Sequence, residues 1–145
     1  MPASSILLLE SDPVVGAGIE AILTGTGYAL TQAASADEAL QLAADHQLVI
    51  VDVVAGVRSG IDICAEIRAT PSLSAVPVMC ISASDDVEER IRFLEAGADD
   101  VMGRPFDARE LEARVEALLL RFQRSRGREP RPGRRDRYRH DRGQR

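Results

Sequence analysis

Five times before residue 121 the chain passes from a short apolar run to a longer amphipathic segment, and this alternation leaves few folds open. ILLL at residues 6–9 reads as a buried strand. Asp12 and Pro13 follow as the cap and first residue of a helix carrying Val14, Val15, Ile19, Ile22 and Leu23 to a GTG break. Tyr28 to Ala33 is a second short strand, and SADE, with Ser35 and Glu38, is a capping box opening the next helix. LVIVDVV at 48–54 is apolar throughout except for Asp52. IDICAEIRAT then reads as a helix that stops before Pro71. VPVMCISAS at 76–84 is another buried strand, followed by a helix that Asp85 and Glu88 can cap and Gly97 ends. Val101 and Met102 form a short fifth strand, and DARE, from Asp107 to Glu110, opens an amphipathic last helix with Leu111, Val115, Leu118 and Leu119.

Strands that are apolar on both faces and alternate with helices imply a parallel sheet covered on both sides, a doubly wound α/β domain. Such sheets bind ligands beyond the carboxyl ends of their strands, where strand order reverses. The polar residues at those ends are Glu10, Ser11 and Asp12, then Asp52, Ser82 and Arg104. With the first and third strands adjacent, Glu10, Asp12 and Asp52 would form a carboxylate cluster that calls for a cation. Hard oxygen donors in an open crevice suit Mg²⁺, and Ser82 and Arg104 would face a phosphoryl group opposite. The chemistry open to such a site is phosphoryl transfer onto a carboxylate by positioning and charge neutralisation. Asp12 also has a plainer role, as the cap of the first helix.

Charge divides the chain. Residues 1–120 hold 7 Arg and 20 acidic residues, whereas residues 121–145 hold 11 Arg and 3, and there is no Lys. The expected organisation is therefore an acidic domain over 1–121 and an Arg-rich, disordered tail over 122–145, too poor in apolar residues to form a core. The tail reads as a linker, with nucleic-acid contact a minor alternative. It leaves no room for an appended DNA-binding domain, so output is expected to pass through the domain surface. No run is long enough to span a membrane, and MPASSILLLE lacks the basic start of a signal peptide, which points to the cytoplasm. Cys64 and Cys80, with apolar neighbours, read as buried thiols. No G-x-G-x-x-G follows the first strand and no G-x-x-x-x-G-K-S/T occurs, so nucleotide-binding enzymes of this class lack their phosphate cradle.

Four segments, ILLLESDP, LVIVDVVAGVRSGIDIC, PVMCISA and EAGADDVMGRPF, together resemble the receiver domain of two-component response regulators, in order and over about residues 5–121. The resemblance implies a flavodoxin-like sheet of order 2-1-3-4-5, with Asp52 phosphorylated by a histidine kinase or phosphotransfer protein. It implies Mg²⁺ held by Asp52, the backbone carbonyl of Val54 and the acidic pair at the first strand's end, here Glu10 and Ser11. It also implies Ser82 and Arg104 beside the phosphoryl group, a cis bond before Pro105, and no enzymatic role beyond accepting the phosphoryl group. Output would run through the helix 4, strand 5, helix 5 face, using Phe93, Val101 and the last helix. Three positions depart from the pattern: Ser11 replaces an acidic metal ligand, Arg104 a Lys, and Val101 an aromatic residue. Ser11 is expected to weaken Mg²⁺ binding. The departures motivate an alternative, a pseudo-receiver that binds partners without phosphorylation.

Overall fold

The computed structural model describes residues 4–52, 59–82 and 86–126, with side chains as far as 123 in the last segment. The strands are β1 (Ser5–Glu10), β2 (Ala29–Ala33), β3 (Leu48–Asp52), β4 (Val78–Ser82) and β5 (Asp100–Gly103). They interleave with α1 (Pro13–Gly25), α2 (Ala36–Leu42), α3 (Gly60–Ala69), α4 (Val87–Ala96) and α5 (Ala108–Arg126). The sheet is parallel, in the order β2-β1-β3-β4-β5. Strand order thus reverses between β1 and β3, where the sequence placed the site.

The two-residue period of the strands divides the core into two layers. Leu7, Leu9, Val49, Val51, Val78 and Cys80 point to the face covered by Ala39 of α2, by Ile63, Cys64 and Ile67 of α3, and by Phe93 of α4. Ile6, Leu8, Leu48, Ile50, Met79 and Ile81 point to the other face, under Ile19 and Leu23 of α1 and Leu111, Val115 and Leu118 of α5. Burial on both sides explains why β1, β3 and β4 read as continuous apolar runs. β2 is one of the two edge strands, and only its Ala33 is buried. Cys64 and Cys80 are buried thiols, as expected.

Local signals set most helix starts. Asp12 accepts from the Val14 amide (2.9 Å) with Pro13 in the first turn, so α1 begins where the sequence placed it. Ser35 accepts from the Glu38 amide (3.1 Å), but the Glu38 carboxylate reaches back to the Ala34 amide (2.8 Å), one residue beyond the expected partner. A full reciprocal box at Ser59 and Asp62 opens α3. The sequence reading passed over it because Asp replaces the usual Glu or Gln. α4 is capped by Asp86; the expected Asp85 lies outside the described residues. Gly97 ends α4 at φ 117°, a left-handed conformation that favours glycine, and a Cβ there would lie 2.3 Å from Arg68 Cγ.

Arg68 ties the end of the sheet opposite the candidate site. Its side chain is only 7% exposed; it donates to the carbonyls of Gly97 (2.8 Å) and Val76 and pairs with Asp99, which in turn accepts from the Val78 amide (2.8 Å). α5 runs on to Arg126, with Phe122 packed against the core. Residues 127–145 of the expected tail lie outside the described residues. Among the described residues no helix is long and apolar enough to cross a membrane.

Candidate functional site

Parallel pairing sets Glu10 directly beside Asp52 at the carboxyl ends of β1 and β3, and Ser82 beside Gly103 at the ends of β4 and β5. Arg104 follows β5, joined to Pro105 by the cis bond that the resemblance implied. The side chains of Asp52 and Glu10 are closed to solvent and that of Arg104 is 25% exposed. A single guanidinium nitrogen, Nη2, donates to both Glu10 oxygens, at 3.1 and 3.3 Å, and to Asp52 Oδ2. The Ser11 amide donates to the Asp52 carbonyl at 3.3 Å, which pins the loop after β1 across the end of β3.

Two carboxylates share one cation here, and their ionisation follows from that imbalance. Burial pushes Glu10 up to about 8, and its hydrogen bond to Asp52 and the Asp52 charge push in the same direction against the pull of Arg104. Burial works against the Arg104 charge, but Asp52 and Glu10 outweigh it and hold its pKa above the ordinary value. The pocket thus approaches neutrality with one carboxyl protonated.

The expected cluster of three carboxylates is, in the structure, a pair. Asp12 is exposed and its Oδ1 is engaged in capping α1, so the helix start has claimed the side chain that the sequence offered as a low-ranking ligand. Among the described residues no group of three or more His, Cys, Asp or Glu side chains is placed to hold a metal ion. Ser11 is exposed, and Val54, whose carbonyl was expected to ligate Mg²⁺, lies outside the described residues. Two features nonetheless suit a hard cation. The donors are oxygens, and Asp52 Oδ1 is buried with no hydrogen-bond partner among the described residues.

Ser82 is fully buried, and its hydroxyl donates to the carboxylate of Glu89, in the first turn of α4. Sequence reasoning passed over Glu89, because it assigned the capping pair of this helix to Asp85 and Glu88. The seven-residue separation from Ser82 gives no signal until β4 and α4 are folded. The surface expected around Phe93 and Val101 also needs correction, since both are buried. The exposed apolar residues of α4 are Val87, Ile91 and Leu94, on the helix face opposite Phe93.

Solved structures similar to this one include receiver domains. The receiver domain of the Francisella response regulator 1452 superposes with a TM-score of 0.74 at 28% identity, covering 81% of this chain and 98% of that one. The receiver domain of sensor histidine kinase PA1611 from Pseudomonas aeruginosa, solved with a magnesium ion coordinated in its active-site cleft, gives 0.72 at 29% identity with the same coverage. The response regulator receiver domain model matches residues 6–116, and the chain belongs to that family. Among curated relatives, the transcriptional regulatory protein GltR of P. aeruginosa is 35% identical over 121 residues, covering 82% of this chain and 50% of that protein. AfsQ1, a transcriptional regulatory protein of Streptomyces coelicolor, is 34% identical over 122 residues, covering 83% and 53%. The chain spans about half the length of these relatives.

Proposed function

We propose that Asp52 accepts a phosphoryl group from a histidine kinase or phosphotransfer protein in the cytoplasm, and that the modified protein signals by changing its contacts with another protein. The observation that carries this reading is the Asp52 carboxylate: sealed at the end of β3, one oxygen held by Arg104, the other without a partner among the described residues. The unpartnered Oδ1 is the attacking atom. It forms the new O–P bond while the donor's P–N bond breaks and the electron pair leaves on the imidazole nitrogen. Arg104 offsets charge on the carboxylate before transfer and on the phosphoryl oxygens after it. Mg²⁺, when bound, would supply further neutralisation, held by Asp52 and Glu10, with Ser11 and the Val54 carbonyl as the further ligands that the resemblance implies. The face formed by α4, β5 and α5, with Ile91 and Leu94 exposed, is the surface we assign to the downstream protein.

Beryllofluoride titrated into the protein with Mg²⁺, followed by amide chemical shifts, tests the reading. Saturable shifts around Asp52, absent in Asp52→Asn, are expected. A wild type that does not respond at millimolar Mg²⁺ refutes it.

One observation favours the alternative of a phosphorylation-independent binding module: Arg104 Nη2 already bridges both carboxylates. Under that reading Asp52→Asn would retain activity in cells; loss of activity with unchanged stability excludes it.

A further inference from the structure

The Ser82 hydroxyl carries one proton, and in the resting protein that proton is committed to Glu89. Ser82 is fully buried at the carboxyl end of β4, the interior strand that pairs with β3. Glu89 is half-buried in the first turn of α4, whose outward side carries Val87, Ile91 and Leu94. The contact is therefore a direct tie between the phosphoryl pocket and an exposed apolar helix face. Val101 offers no comparable link, being a buried β-branched side chain with a stiff χ1.

We propose that Glu89 is a positioning residue that latches Ser82 in the resting state, and that phosphorylation of Asp52 releases the latch and frees the first turn of α4. The inference rests on the proposed phosphorylation of Asp52. A single hydroxyl proton cannot serve Glu89 and a phosphoryl oxygen together, so the two acceptors compete. No covalent bond is made or broken in the switch; the proton stays on Oγ and changes its hydrogen-bond acceptor. Once Ser82 turns to the phosphoryl group, Glu89 loses its partner across the β4–α4 junction and faces a more negative pocket, which favours movement of the α4 start. The same competition makes Glu89 a brake, because the resting bond must be given up before the phosphoryl group gains its hydroxyl partner.

The test is a double-mutant cycle of Glu89→Gln, Ser82→Ala and both together, read by amide shifts of α4 and by beryllofluoride affinity with Mg²⁺. Without ligand, either single variant should shift the amides of Val87 to Arg90, and the double variant should add little. With ligand, Glu89→Gln should tighten beryllofluoride about tenfold, the scale of one charge-assisted hydrogen bond, and the gain should vanish when Ser82 is already Ala. An equal gain in both backgrounds overturns the latch, since it would report only the removal of a negative charge near an anionic ligand. Additive α4 shifts in the unliganded proteins overturn it as well. If the resting cycle is coupled but none of the four proteins, wild type included, responds to beryllofluoride, the phosphorylation reading fails and the switch role fails with it, leaving Ser82–Glu89 a structural tie. Circular dichroism on each variant separates these outcomes from misfolding, and Ser82→Thr, which restores the hydroxyl, should restore the wild-type coupling.

Discussion

Replacing Glu10 with Gln should make the protein more stable at alkaline pH and remove most of one pH dependence. The carboxyl rises from 4.5 to about 8 on folding, first through burial and then through Asp52. A group whose pKa rises on folding stabilises the fold below its unfolded pKa and loses that contribution as pH climbs through the folded value. Stability from this source should therefore decline between pH 4.5 and 8. At about 1.4 kcal/mol per pH unit, the whole window has a ceiling of about 5 kcal/mol. Solvent reaches the pocket along Arg104, which is 25% exposed, and screens the charge. We therefore expect about 2 kcal/mol, less than half of the ceiling. Glu10→Gln holds the position neutral at every pH. Urea unfolding by circular dichroism at pH 5 and 8.5, with a chelator present, should show wild type losing about 2 kcal/mol more than the variant between the two conditions. Titrations common to both proteins cancel in that difference. Parallel profiles would refute the buried, proton-holding Glu10, and a gap of opposite sign would mean that Arg104 keeps the carboxylate ionised.

Other expectations separate the remaining roles. Asp12→Ala should cost about 1 kcal/mol in urea unfolding through the lost α1 cap. It should change Mg²⁺ affinity less than twofold by calorimetry, the outcome for a side chain engaged in capping rather than in ligation. Ser11→Asp should raise Mg²⁺ affinity at least about tenfold, and no gain would place the metal elsewhere. Arg68→Ala should cost about 3–5 kcal/mol by leaving Asp99 without its cation and the carbonyls of Gly97, Ser74 and Val76 without this donor, far from the pocket, with beryllofluoride affinity of the folded fraction unchanged.

The fold was legible because each of its signals is local. The two-residue period of β1, β3 and β4, the caps at Asp12 and Ser35, and the glycine that stops α4 act within a few residues of themselves. Their order forces the parallel sheet and its reversal between β1 and β3. Glu10, Asp52, Ser82 and Arg104 were therefore identifiable as strand-end residues before any contact was known. Boundaries were less secure where two residues compete for one role, as at Ser35, whose partner Glu38 reaches past it to Ala34.

Side-chain commitment was not legible, because it depends on distances set by residues far apart in the chain. Asp12 could be ligand or cap until α1 was placed, and the helix amides took it. Arg104, 94 residues from Glu10, reaches both carboxylates from the end of β5, at the carboxyl edge of the same sheet. Glu89 stood outside the capping pair read at Asp85 and Glu88 and had no assigned role until packing of α4 against β4 gave it Ser82. Phe93 and Val101 looked available to a partner until the phase of α4 and the pleat of β5 turned both inward. The sequence by itself determined the layer architecture and the residues gathered at the strand ends, since periodicity and caps are encoded over short spans. Only the tertiary structure decided which charge neutralises which, because a hydrogen bond or ion pair is fixed by ångström-scale proximity that no spacing in the chain records.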